Sequence, residues 1–207
     1  MPEYVYYILF AILGYLLGSL NFSIIIGKLF YKVDVREHGS KNAGTTNTLR
    51  TLGKVPAIFV LLLDTFKAVI AYLLVFLFTQ KPEFSYIAAA TAVVGHNFPV
   101  FFGFKGGKGV ATSLGACFCF DPLLGLYVLL VGVGMIAITG YVSVGSLSGS
   151  TSSIIFFAFL DHSPFKTLKL VLLVILTVSM YIRHHENLKR LWNHTENKIS
   201  FKKKEEK

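Results

Sequence analysis

The feature that most constrains this chain is a succession of apolar runs separated by short polar links. Crossing the hydrocarbon of a bilayer takes about 20 mostly apolar residues in a helix. Tyr4 to Leu29 supplies such a run, with its first cation at Lys28. Further runs follow at Val55 to Thr79, Phe84 to Phe102, Val110 to Cys119, Leu123 to Ile138, Leu147 to Leu160 and Leu168 to Ile182. A mean hydropathy of +0.62 with 54% hydrophobic residues exceeds what one soluble core of 207 residues needs. The sequence therefore predicts an all-α integral membrane protein, a bundle of about seven transmembrane helices, with five as the fallback count. The Val110 to Cys119 run and the Ser-rich start at Leu147 are the weakest spans, and breaks there suit a cavity lining.

Charge orients the bundle. The N-terminus Met1, Pro2, Glu3, Tyr4 lacks the basic start of a secretory signal, so the first run reads as an anchor with its N-terminus outside. Seven spans place the connections 28–54, 103–109 and 140–146, with the segment from Arg183 onward, on one side. These hold sixteen of the twenty Lys and Arg, and the positive-inside rule makes that side, with the C-terminus, cytoplasmic. The expectation is a single membrane domain over 1–207, with motif loops near 32–54, 103–111 and 139–148 and a cytoplasmic tail at 185–207. The closing Lys202 to Lys207 reads as a solvated, headgroup-facing end. The net charge of +9 is scattered over these links and forms no nucleic-acid reading motif, so anionic headgroups or small phosphates are the expected partners. Cys117 and Cys119 do not support a disulfide or metal framework.

The polar links carry the chemistry. In the first, Gly39 and Gly44 let backbone N–H groups converge, Ser40, Asn42, Thr46 and Asn47 add short polar groups, and Arg50 offers a planar fork for phosphate. The same composition also builds an N-capped helix for local reasons alone. Gly95 and His96 precede the second, where Gly103, Lys105, Gly106, Gly107, Lys108 and Gly109 fall within seven residues, followed by Thr112. Its spacing is not that of a nucleotide-binding P-loop, because Phe102 and Gly109 stand where Gly and Ser or Thr are required. What remains is a run of amides at a helix N-terminus, which favours an anion, or else a basic interfacial turn. Ser143 lies in a third link of Ser and Gly that also suits helix packing. After the last run, His184 and Asn187 share one helical face. Two histidines are too few for a metal site, and none is expected. Asp64 and Lys67, three apart in the second run, read as a structural ion pair.

Taken together the motifs Gly39-Ser40-x-Asn42-x-Gly44-x-Thr46-Asn47-x-x-Arg50, Gly95-His96, Phe104-Lys105-Gly106-Gly107-Lys108-Gly109-Val110-Ala111-Thr112, Tyr141-Val142-Ser143 and Arg183-His184-x-Glu186-Asn187 resemble, in order and spacing, the bacterial acyl-phosphate:glycerol-3-phosphate acyltransferases, the PlsY family. Two positions depart: Lys41 where that family usually has Gly, and Gly140 where it usually has Arg.

The resemblance implies transfer of a fatty acyl group from acyl phosphate to the 1-hydroxyl of glycerol 3-phosphate, the first acylation of phospholipid synthesis, at the bacterial inner membrane. No cofactor and no obligate protein partner are implied. By resemblance and chemistry, Ser40, Asn42 and the Gly106 to Gly109 amides face the acyl phosphate. Arg50, Lys108, His184 and Asn187 face glycerol phosphate. The resemblance favours direct attack by the substrate hydroxyl, its proton going to His184 or to a substrate phosphate. The His-x-x-x-x-Asp signature of thioester-using acyltransferases is absent. From the residues alone, a small-anion transporter or a basic scaffold subunit are the rival classes.

Overall fold

The computed structural model describes residues 2–199, so the lysine-rich end at 202–207 lies outside the described residues. Among the described residues there are ten α-helices, two short 3-10 turns and no strands. A helix stands at each of the seven expected places. α1 (Glu3–Gly18) and α2 (Phe22–Phe30) share the first run, broken where Asn21 caps α2 by accepting from the Ile24 N–H at 3.2 Å. α4 (Lys54–Thr79), α5 (Pro82–Asn97), α6 (Val110–Phe120), α7 (Pro122–Thr139), α8 (Val142–Leu160) and α9 (Lys166–Arg183) follow. By length and composition four segments suffice to cross a membrane: α1 with α2, α4, α7 and α8. A fifth is added if α9 and α10 (His185–Trp192), which meet at 58°, are one bent span.

Two expected boundaries are corrected, and one link contains a helix. The run Phe84 to Phe102 is not one helix: α5 stops at Asn97, because Phe98 precedes Pro99 and proline excludes the helical conformation there. The link near 139–148 shrinks to Gly140 and Tyr141, and Ser143 belongs to the first turn of α8. Within 32–54 a short helix, α3 (Thr45–Thr51), has Gly44 as its N-cap.

α1 lies on α5 through small residues. A side chain at Gly14 or Gly18 would overlap the α5 backbone at Ala88 or Ala92, so this pair packs by close backbone approach, as helices in lipid do. The interior is alanine-rich along α4 and α5 and is finished by Phe84, Phe120, Leu124 and Phe157. Large apolar side chains such as Leu62, Phe66, Ile70, Leu73 and Leu77 stand exposed on α4, a surface suited to lipid. All the motif links meet at one end of the bundle.

Candidate active site

Three ties bring the links together. Asn21 Nδ2 donates to the Ala43 carbonyl at 3.2 Å, and Ser23 meets Thr48 at 2.7 Å, fixing the first link on α2. Arg36 donates to the Phe102 carbonyl at 2.9 Å and joins the first link to the second. Arg183, at the end of α9, donates to the carbonyls of Gly107 and Gly106 at 3.0 and 3.1 Å. Turning those carbonyls toward a guanidinium leaves the N-terminus of α6 as the face offered to an anion. Gly109 caps that helix at φ +78°, and a side chain there would crowd Asn97 Oδ1.

These ties enclose a cavity of about 390 Å³. Its polar end is walled by Ser40, Asn42, Gly44, Thr46 and Arg50 from the first link and α3. His96, Lys108 and Gly109, Ser143, His184 and Asn187 complete that end. The rest is mainly apolar, running between α6, α7, α8 and α9 past Leu114, Cys117, Val128, Val133, Leu173 and Leu176, with Ser146, Ser150, Ser153 and Thr177 also on the wall.

Not every expected residue reaches the wall. Asn47 borders the cavity, but its side chain is spent on the loop: Oδ1 accepts from the Ser40 N–H at 2.8 Å, and Nδ2 donates to the carbonyls of Val35 and His38 at 2.7 and 3.1 Å. Gly39, at φ +58°, packs against that Asn47 oxygen. Lys105, Gly106 and Gly107 stand behind the wall, and the Gly107 N–H is already donated to the His96 carbonyl at 3.1 Å. Thr112 is fully buried with its hydroxyl unpaired.

The two departures both stand at positive φ. Lys41 adopts φ +59°, a region glycine enters freely and a lysine does not. Gly140 also has positive φ, and the Lys198 side chain lies over it with its ammonium 5.5 Å from the Tyr141 ring centre.

One network organises the polar end. Lys108 donates to Asn187 Oδ1, and Asn187 Nδ2 donates to Glu196 at 2.6 Å. Ser143 and Arg190 also donate to Glu196, at 3.0 and 2.7 Å. Sequence reasoning missed Glu196 and Arg190. Arg190 was legible, three residues beyond Asn187 on the same helical face. Glu196 was not, since it returns from beyond α10 in a segment without periodicity, tied down by the Ile199 N–H donating to the Gly140 carbonyl at 2.9 Å.

Burial, reinforced by Arg190, pulls the Lys108 ammonium down to about 8. Burial and then Lys108 pull His184, at the break after α9, to about 4, so it is neutral near pH 7. Its Nδ1 sits 2.8 Å from the Met180 carbonyl and must carry the proton, leaving Nε2 as an acceptor. Burial would raise Glu196, yet the hydrogen bonds from Asn187, Arg190 and Ser143 prevail and hold it below the usual carboxylate range. Among the described residues no group of three or more His, Cys, Asp or Glu is placed to hold a metal.

A cationic, donor-rich mouth over an apolar pocket suits an amphiphile with a phosphate head. The family model described as glycerol-3-phosphate acyltransferase matches residues 8–194. A glycerol-3-phosphate acyltransferase of Halalkalibacterium halodurans is 43% identical, over 94% of this chain and 96% of its own length. One from Clostridioides difficile is 42% identical, over 95% and 97%. Crystal structures of PlsY (YgiH), an integral membrane glycerol 3-phosphate acyltransferase, superpose with TM-scores of 0.85 in the glycerol 3-phosphate form and 0.83 in the lysophosphatidic acid form. Their identities to this chain are 36% and 35%, over 94% of it and 96% of the PlsY chain. With its motifs, membrane helices and fold all in agreement, this chain belongs to the glycerol-3-phosphate acyltransferase family.

Proposed function

We propose that the protein moves a fatty acyl group from acyl phosphate to the 1-hydroxyl of glycerol 3-phosphate, yielding 1-acylglycerol 3-phosphate and phosphate. The supporting observation is the juxtaposition of the phosphate-suited mouth and the apolar cavity. The acyl chain lies along α6 to α9, and the reacting carbonyl sits where the cavity turns polar. Ser40, Asn42 and the α6 N-terminus hold the donor phosphate. Arg50, Lys108, Asn187 and Ser143 hold glycerol phosphate, with Glu196 orienting the last two. Two like-charged groups must approach closely, so this concentration of cations and fixed donors is what the reaction needs.

The hydroxyl oxygen attacks the acyl carbon, the carbon–oxygen bond to phosphate breaks, and phosphate departs with the electron pair. Acyl phosphate is already activated, so no covalent enzyme intermediate is required and positioning carries most of the rate. A histidine held at about 4 is a weaker proton acceptor than a phosphate whose second pKa is about 6. The proton therefore passes to a substrate phosphate oxygen, while His184 Nε2 accepts a hydrogen bond from the hydroxyl and aims it. With the basic links inside, the site faces the cytoplasm, the N-terminus lies outside, and seven segments form the bundle.

The test is turnover by detergent-purified protein given glycerol 3-phosphate and either palmitoyl phosphate or palmitoyl-CoA, with Lys108→Ala as control. Lysophosphatidic acid and phosphate from acyl phosphate alone, lost in the variant, is the expected result. Product from the thioester alone would overturn the donor assignment.

A further inference from the structure

Asp64, Lys67 and His96 form a buried charged cluster that the proposed reaction leaves unused. α4 supplies the first two and α5 the third, and each is no more than 3% exposed. Lys67 Nζ lies 2.9 Å from Asp64 Oδ1, 2.9 Å from His96 Nδ1 and 3.1 Å from the Leu20 carbonyl at the break between α1 and α2. An ammonium has three N–H donors and no lone pair. These three contacts use all three donors, so His96 Nδ1 is the acceptor. A neutral imidazole that accepts at Nδ1 carries its proton on Nε2. Asp64 Oδ1, 3.5 Å from Nδ1, would select the opposite tautomer, but the nearer ammonium forbids it.

The other edge of the ring lies against the Gly107 turn at the border of the cavity. His96 is part of the cavity wall, and Nε2 makes no hydrogen bond to any described residue. The neighbouring turn closes onto that edge: a side chain on Gly107 would overlap His96 Nε2, while the Gly107 N–H is held by the His96 carbonyl. An unspent N–H is thus presented beside the α6 N-terminus, where the mouth gathers donors for an anion.

We propose that Asp64 and Lys67 are positioning residues that lock His96 with its proton on Nε2, and that this N–H donates to a phosphoryl oxygen of the substrate seated beside the Gly106 to Gly109 turn. The tautomer assignment stands on the cluster alone. The identity of the phosphate rests on the acyltransfer reading above.

Two arms test the two parts. Protein labelled with 15N-histidine in detergent has six histidines, and the His96 signals are identified by their loss in His96→Gln. The expected pattern is protonated Nε2 and bare Nδ1 in the wild type. Lys67→Met, which frees Nδ1 for Asp64, is expected to reverse it, and Lys67→Arg to preserve it. A wild-type His96 protonated on Nδ1 overturns the proposal whether or not the enzyme turns over.

The kinetic arm compares His96→Gln, which keeps an N–H donor near the Nε2 position, with His96→Phe, which keeps a ring and no donor. KM for one substrate is expected to rise about tenfold or more in His96→Phe and to stay close to wild type in His96→Gln. Whichever KM rises, for acyl phosphate or for glycerol 3-phosphate, identifies the phosphate contacted. Equal losses in both variants, or none in His96→Phe, remove the proposed contact. Absence of wild-type turnover with every donor would count against the acyltransfer reading alone and leave the labelled-histidine result to decide the tautomer.

Discussion

Placing a tryptophan at Leu114 tests whether the apolar cavity measures the acyl chain. Leu114 and Cys117 both line the cavity on α6, five and eight residues beyond Gly109 at its polar mouth. At 1.5 Å per residue these lie about 7.5 and about 12 Å below the mouth. Leu114→Trp should therefore close off roughly the last 4.5 Å of depth along α6. That length holds roughly four methylenes, whose burial at about 0.8 kcal/mol each amounts to about 3 kcal/mol. In kcat/KM this is about a hundredfold, or about fourfold for each methylene that no longer fits. The assay is kcat/KM for a series of saturated acyl phosphates of increasing length at fixed glycerol 3-phosphate. Short donors should keep wild-type values, long ones should fall stepwise, and KM for glycerol 3-phosphate should not move. Overpacking costs about 1–3 kcal/mol of stability, so a thermal melt on the same preparation accompanies the series. Equal losses at every chain length in well-folded protein, or an undiminished long-chain donor, would refute this placement of the chain.

Lys108 loses its charge as pH rises through about 8, so KM for phosphate substrates should climb above that pH, and Lys108→Ala should flatten the climb at greatly reduced activity. Glu196→Gln keeps the shape of the network but removes the ionic partner of Arg190. We expect a rise in KM for glycerol 3-phosphate of about tenfold with the melting temperature little changed, read by steady-state kinetics and thermal unfolding. Lys41→Gly removes the strain of a positive φ, and a gain of about 0.5–1 kcal/mol in detergent unfolding is expected, net of the added freedom of the unfolded chain. An unchanged or lowered stability would show that Lys41 is held there by contacts that offset the strain.

The helices were legible because lipid leaves so few alternatives. An apolar run in lipid must satisfy its own backbone, and a helix formed at all seven places, though by length and composition only four, or five with α9 and α10 as one bent span, suffice to cross. Boundaries failed where local chemistry overrode hydropathy, at Pro99 after α5 and at Val142, where α8 begins five residues before the expected Leu147. Of the candidate site residues, those whose signal is local are ones that the fold gathers on one cavity wall: Arg50 on α3, Lys108 beside the α6 N-terminus, and the His184 and Asn187 pair. Roles created by contacts distant in sequence were not. Asn47 has the composition of a ligand, and only the fold reveals that the first link consumes both ends of its amide. Asp64 and Lys67 read correctly as an ion pair, but the third contact of the ammonium, 29 residues away at His96, has no trace in spacing.

The depressed Lys108 also bears on how the proposed phosphate-gathering mouth would let a phosphate go. A guanidinium is a permanent cation, and a mouth made only of arginines would hold the released phosphate as firmly as the substrates. Lys108 is different, because burial and Arg190 bring its proton affinity close to physiological pH. A dianion entering the mouth raises that affinity, so the ammonium, already the larger fraction near neutral pH, becomes fully populated when a phosphate is bound. Once phosphate leaves, burial and the repulsion from Arg190 and Arg183 bring that affinity back down, so a larger share of the lysine is neutral than with phosphate bound and the attraction for its return is weaker. Asn187 keeps the amine aimed throughout, since its carbonyl oxygen can accept from either form of the lysine while Glu196 holds the amide nitrogen in place. The network thus separates two requirements that a single arginine would join: the position of the donor stays fixed while its charge follows the ligand.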